Sequence, residues 1–479
     1  MKINKAIYYL FGASVLAASV SCNDFLDTEP ITEQGISIDN PLKTATDAEN
    51  RMSTIYTAFG NEYWQLDYFF NGDAQTEISY AGADNVQNFQ QDEYRIVATN
   101  PNVERDWKYL YGFINDCNMI LNYADNINDP ALTAARKAEM KSEAAIFRAL
   151  YYFHAVQLWG DIPLVTKAVI GVNASNFDEV YSQVYPARKT VKEAYDLIIA
   201  DLEGAIANAP SGTQKYRANK NFAYGLLAKV YASKPNPDWT KVKQYASNIS
   251  GVNLLPVYDQ LFDGTHEANS ESIFEVDGNA GTVWAWGSSM FYGTDWKKFN
   301  VPSNDLVKAF NDAGDTQRLN SSVKFLPVSW SDKYWTSNNY PFMYKMRKTD
   351  GTQNFYILRY ADVLLLQAEA AVRTGDYTGA AGFINQVRTR AGLSPVAISS
   401  ETDGIQKVLQ ERKLELAFEG QRWFDLKRTG AAVAILSQQK DGNGVILPYA
   451  ASINQNRLLW PIPQGQRDNN QNLTQNSGY

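Results

Sequence analysis

The sequence predicts a mostly α-helical protein in which tetratricopeptide-like helix pairs form a scaffold, packed against an irregular, loop-rich region with a few short strands. Three observations carry that prediction. Apolar residues recur at helical spacing over long stretches of the chain. Neighbouring stretches are joined by short turns of small residues, with alanine-rich contact faces, as helical repeats are. A central block, about 251–353, lacks the periodicity and is crowded with Gly, Pro and Trp. With 479 residues, 45% of them hydrophobic and 20% charged, the chain can bury a large core and is not disordered.

In chain order the first element is a leader, 1–21. Lys2 and Lys5 flank the start, Ala6 to Ala18 is almost purely apolar, and Ser19-Val20-Ser21 supplies small residues before Cys22. That is the layout of a secretory signal. It is shorter than the roughly 20 apolar residues of a membrane-spanning helix. A cysteine directly after the small residues resembles a bacterial lipobox, with Ser19 where leucine is usual. Cleavage before Cys22 and acylation of its sulfur are therefore expected, leaving Cys117 as the free thiol and no intrachain disulfide. Asn23-Asp24-Phe25-Leu26-Asp27 resembles the acidic signals that send some lipoproteins to the outer face of the outer membrane. The mature chain, 22–479, is expected to form one body.

Within that body, helical repeats are expected mainly over 104–250 and 354–430. Trp107, Leu110, Tyr111, Ile114 and Leu121 form the first stripe, and Glu143 to Trp159 continues in that style. Val191, Tyr195, Ile198, Leu202 and Ile206 form a third, stopped near Pro210-Ser211-Gly212. Phe222, Leu226, Leu227 and Val230 lead to a break at Pro235 and Pro237, and Trp239 to Ile249 suggests a short helix. Tyr360 to Val372 and Tyr377 to Arg390 pair across Thr374-Gly375-Asp376, and Ile405 to Leu416 leads into Gly420. Strict 34-residue periodicity is absent, so the pairs make a scaffold and not an even solenoid. The central block, loops and short strands inserted into a helical body, is where function is expected.

Composition narrows the chemistry. The net charge is −8, and removing a leader that carries Lys2 and Lys5 takes it two units lower, to −10. An acidic chain lacks the clustered cations that nucleic-acid phosphates need, so no nucleic acid is expected as a partner. Two histidines leave little for metal sites or acid–base triads. His154 lies among apolar helix residues and His266 in a loop. No phosphate-cradling loop, dinucleotide fingerprint, nucleophile elbow or zinc-protease motif is present. No catalytic residue, metal or cofactor is expected. The positive signal is 11 Trp, 29 Tyr and 22 Phe, more flat rings than a core needs, so some should work at a surface.

Glu143-Ala144-Ala145-Ile146-Phe147-Arg148-Ala149-Leu150-Tyr151-Tyr152-Phe153, followed by Trp159-Gly160-Asp161-Ile162-Pro163-Leu164-Val165, closely resembles the hallmark segment of the SusD/RagB family. Leu358 to Leu365, Glu411 to Arg428, and Trp460-Pro461-Ile462-Pro463 with Asn476-Ser477-Gly478-Tyr479 match further motifs in order. The resemblance spans essentially the whole chain. It implies an outer-membrane, cell-surface lipoprotein that binds glycans, less often peptides, and lids a SusC-like, TonB-dependent β-barrel transporter. Such proteins are not enzymes. The motifs themselves read as framework: the alternating charges of Glu411–Arg428, like Arg359 and Asp362, sit beside apolar residues and suit buried ion pairs.

A sugar ring has an apolar C–H face and a rim of hydroxyls, so its site needs an exposed flat ring and forked polar groups. Two segments offer that mixture. The first interleaves Tyr63, Trp64, Asp67, Tyr68, Asn71 and Asp73. The second sets Trp284, Trp286, Tyr292 and Trp296 on a glycine-rich backbone, with Trp284 and Trp286 two apart and so on one side of an extended segment. At least one ring from each is expected at a single ligand groove. The function expected is glycan binding and delivery to the transporter; a peptide-binding importer and a glycan-cleaving enzyme are the alternatives.

Overall fold

The computed structural model describes residues 41–168, 177–278 and 283–479. The leader and Cys22 lie outside the described residues. Helix α1 (Ala45–Thr57) opens on a capping box: Thr44 Oγ1 accepts from Asp47 N at 3.1 Å, and the Asp47 carboxylate accepts from Thr44 N at 2.8 Å. The principal helices then follow as α2 (Pro101–Tyr123), α3 (Ala134–Trp159), α4 (Val191–Ala205), α5 (Lys220–Ser233), α6 (Trp239–Ser247), α7 (Tyr360–Arg373), α8 (Tyr377–Arg390), α9 (Glu401–Glu415) and the short α10 (Arg422–Arg428). From α2 to α6 each packs on the next, and α7 packs on both α8 and α9. Helix α6 also packs on α7. The stack therefore continues across the excursion between them, because the chain leaves and re-enters at neighbouring places. Ala361, Ala368, Ala371 and Ala380 are fully buried where α7 and α8 meet, and their small side chains let the two backbones approach.

The excursion is less irregular than its sequence. It contains helices Asn304–Ala313 and Thr316–Ser322, capped by the Ser303 and Asp315 side chains. Only Leu306 and Phe310 of the first are buried apolar residues, too few to raise a periodic signal. Among the described residues, six short strands form three antiparallel pairs: β1 (Ser79–Tyr80) with β3 (Val301–Pro302), β2 (Ser272–Val276) with β6 (Phe355–Arg359), and β4 (Val323–Leu326) with β5 (Tyr340–Met343). Strand β6 runs directly into α7, so the β2–β6 pair joins the excursion to the helical stack.

Buried ion pairs fasten that junction. Arg359, at the end of β6, reaches Glu271 at 2.8 Å, Glu415 at 2.5 Å and Glu419 at 2.7 Å. Arg318 reaches Glu411 at 2.8 Å and Glu415 at 3.0 Å, while Arg412 bridges Asp362 and Asp425 at 2.7 Å each. Arg422 meets Glu77 at 2.5 Å. Burial pushes the Glu77 carboxyl upward, but Arg422 and Lys413 outweigh it and hold the group at about 2. At the far end of the chain, Trp460 N donates to Leu158 O at 2.8 Å, and Asn476 Nδ2 donates to Trp159 O at 2.8 Å, strapping the C-terminal motif onto the end of α3.

Candidate functional site

The first aromatic–polar segment is core. Tyr63–Asp67 forms a π-helix that continues as helix Tyr68–Asp73, and Tyr63, Trp64, Asp67, Tyr68, Asn71 and Asp73 are all buried. The expected exposure of one of its rings is thus corrected. The physical reason lies in partners supplied from far away in sequence. Tyr63 Oη meets His154 Nδ1 at 2.9 Å, and Trp64 packs at 5.1 Å from the same imidazole. Asp67 accepts from Arg105 at 2.7 Å, Asn71 Nδ2 donates to Asp106 at 2.7 Å, and the Tyr68 hydroxyl accepts from Gln421 at 2.7 Å. Asp73 accepts from Gly420 N at 3.1 Å. Gly72 has to be glycine here, because a Cβ would stand 2.1 Å from Gly420 O. The short polar side chains satisfy one another in the core instead of a sugar rim. Burial also lowers His154 to about 3, so its ring is neutral.

Two acids in this region titrate unusually. Burial pushes Asp73 and Asp92 each up to about 8, against an ordinary value of 3.8. The folded state therefore holds protons that the unfolded chain has lost. The stability these acids contribute is complete below about pH 4 and is lost as the pH rises through 8. Asp73→Asn keeps an oxygen to accept from Gly420 N and has no proton to lose. Its melting temperature is expected to fall less between pH 5 and pH 8.5 than that of the parent. Equal falls would show that Asp73 does not titrate in that range.

The second segment is arranged differently. Trp284 is 66% exposed. Its Nε1 donates to Asp350 O at 3.2 Å, and Ala285 N donates to Gly351 O at 3.0 Å. Gly351 adopts φ +78°, and a Cβ there would lie 1.9 Å from the indole nitrogen. The edge of the ring is thus pinned on a tight turn while most of the ring remains open to solvent. Trp286 is half-buried and donates to Gly60 O at 3.0 Å, so the two rings rest on different supports. Tyr292 and Trp296 are also half-buried. Tyr292 leans on Tyr344 at 5.1 Å, and Trp296 carries Lys298 Nζ at 4.0 Å from its centroid. Of the four rings expected in this segment, Trp284 is the one with an open face.

Two openings flank this region. One, of about 370 Å³, lies between α1, Tyr216-Arg217 and β2, and Val283 lines it. The other, of about 740 Å³, lies against Pro256–Asp259 and Thr389–Gly392. In the second the rings are already covered, Tyr344 by Arg347 at 4.2 Å and Tyr258 by Arg390 at 4.8 Å. Tyr216 carries an exposed ring that sequence reasoning missed, since its loop, Ser211 to Lys220, reads only as a connection. Phe177, Tyr181 and Tyr185 were missed as well: spaced i, i+4, i+8, they form a mutually touching ring cluster on helix Phe177–Val184 and its end, with Phe177 and Tyr181 exposed. Among the described residues, no group of three or more His, Cys, Asp or Glu is placed to hold a metal ion.

Comparison with known proteins places this architecture. Residues 213–479, more than half of the chain, match the model of the SusD family. The chain belongs to the SusD family. Residues 24–232 match a further model described as starch-binding and associating with the outer membrane. SusD-like protein P2 of Formosa agariphila is 28% identical, the alignment covering 97% of this chain and 98% of that one. The starch-binding protein SusD of Bacteroides thetaiotaomicron is 23% identical over 80% of each chain. Among solved structures, a SusD superfamily protein from Bacteroides vulgatus superposes with a TM-score of 0.77 at 20% identity, covering 91% of this chain and 99% of that chain. A laminarin-binding SusD-like protein gives 0.73 at 23% identity, covering 91% and 100%. In this SusD-family chain the hallmark residues Arg359, Arg412 and Arg422 all lie in buried ion pairs, as framework and not as binding surface.

Proposed function

We propose that this chain is a cell-surface glycan-binding lipoprotein, anchored through acylated Cys22, that delivers oligosaccharide to a SusC-like TonB-dependent outer-membrane transporter. The observation that carries the reading is Trp284, an indole pinned at its edge with an open face. Sugar C–H faces stack on such rings, and a ring held in place loses little freedom on binding. The family model described as starch-binding, and relatives named for starch and laminarin, support the same ligand class. No helix among the described residues is long and apolar enough to cross a membrane, so the reading places attachment in the lipid.

Titrating purified protein with a panel of oligosaccharides and peptides tests the ligand. Saturable, micromolar-to-millimolar binding of a sugar is expected, weak enough to hand the ligand on. Binding of peptides alone would replace glycan by peptide, and new reducing ends in the sugar arm would make the protein an enzyme. In native membranes the chain should co-purify with a β-barrel, since permanent interfaces often bury more than ~2,000 Å². Recovery of free monomer alone would remove the transporter from the proposal.

A further inference from the structure

We propose that the cleft lined by Val283 is a second sugar subsite and that it admits only uncharged sugar residues, an inference that rests on the glycan reading above. Val283 adjoins Trp284 in the chain, and Asn354, which holds the Tyr216 hydroxyl, lies three residues beyond the Gly351 turn that pins the indole. The cleft wall carries a second ring. Tyr216 is 36% exposed, and its hydroxyl accepts from Asn354 Nδ2 at 3.3 Å, which fixes the ring from its far end. The cleft thus offers a sugar chain a second stacking ring, held by the same 350–354 segment that pins Trp284.

The polar lining is oriented before any ligand arrives. Arg136 pairs with Glu49 at 2.8 Å through two nitrogens and with Glu139 at 2.7 Å. Arg217 pairs with Glu143 at 2.9 Å and with Glu139 at 2.9 Å, and the Tyr56 hydroxyl donates to Glu143. Both guanidiniums remain partly exposed, at 27% and 30% of their side chains. Donor and acceptor forks thus stand side by side, which is the pattern that adjacent sugar hydroxyls pair with.

Charge then restricts the ligand. In this network two guanidiniums face three carboxylates. Glu275 adds a further carboxylate on the β2 side of the cleft, with Lys215 interacting with it. A uronate or sulfate group entering the cleft meets surplus negative charge, and both guanidiniums are already engaged. The acidic chain repels polyanions at longer range as well, with its net charge of −8.

The test uses four probes on the purified protein: malto-oligosaccharide and β-1,3-glucan oligosaccharide as neutral sugars, oligogalacturonate and a sulfated galactan oligosaccharide as anionic ones. At least one neutral probe should bind, with little dependence on salt, and Tyr216→Ala should weaken it roughly fivefold or more, the low end for loss of a stacked ring. The anionic probes should bind far more weakly, and Glu49→Gln should narrow that gap. Anionic binding equal to or tighter than neutral binding overturns the charge rule. Neutral binding that Trp284→Ala weakens and Tyr216→Ala leaves unchanged overturns the subsite while the glycan reading stands. Binding of none of the four overturns both.

Discussion

Replacing Glu415 with alanine is expected to cost the fold about 3–5 kcal/mol, the range for breaking a buried ion pair from one side. Glu415 is fully buried at the end of α9. Its carboxylate accepts from Arg359 Nη1 at 2.5 Å and Arg318 Nη1 at 3.0 Å, and also from Arg390. Its main-chain carbonyl accepts from Arg359 Nη2 at 2.8 Å, Lys345 Nζ at 3.0 Å and the Tyr258 hydroxyl at 2.7 Å. Burial pushes the carboxyl upward, yet Arg390, Arg359 and Arg318 together hold it well below the usual carboxylate range. Removing it leaves three guanidiniums crowded in a dry junction between α7, α8, α9 and the excursion. Chemical denaturation read by circular dichroism measures the loss. A variant that unfolds at the same denaturant concentration as the parent would show that Glu271 and Glu419 suffice without Glu415.

That junction also shows how much of the molecule was legible from its sequence. The stripe Trp107 to Leu121 and the pair across Thr374-Gly375-Asp376 could be read because helix periodicity is local, written within a few turns. The charges of Glu411–Arg428 could be read as ion pairs because they alternate beside Leu414, Phe418 and Trp423. Their partners could not: Glu271 and Arg318 lie in the excursion, and nothing near them in sequence announces the contact. The same limit explains the misplaced ligand segment. Asp67, Asn71 and Asp73 look like a hydroxyl-binding set until Arg105, Asp106 and Gly420 are brought to them by folding. Trp284 stood out because Gly281 and Gly287 bracket it and no period surrounds it. Tyr216, alone in a polar loop, carried no such mark, and what distinguishes it is the cleft it lines.

Trp64→Ala and Trp284→Ala are expected to fail in opposite ways. Trp64 is fully buried against Phe59 at 4.9 Å, Tyr63 at 5.1 Å, Tyr68 at 5.2 Å and His154 at 5.1 Å. Truncating it opens a cavity among four rings that cannot collapse, and the loss should be about 3–5 kcal/mol of stability. Its indole N–H has no hydrogen-bond partner among the described residues, so Trp64→Phe, which keeps a ring and drops that donor, should cost much less. Trp284 has its edge on Gly351 and its face in solvent. Its loss should leave stability within about 0.5 kcal/mol, as surface substitutions usually do. Glycan binding should weaken by roughly 1–3 kcal/mol, with base–aromatic stacking as the calibrated analogue. Melting and sugar titration on the same variants separate the two outcomes. A Trp284→Ala protein that melts well below the parent would place that ring in the structural framework, and the open face would then have to be sought at Tyr216 or at the cluster of Phe177 and Tyr181.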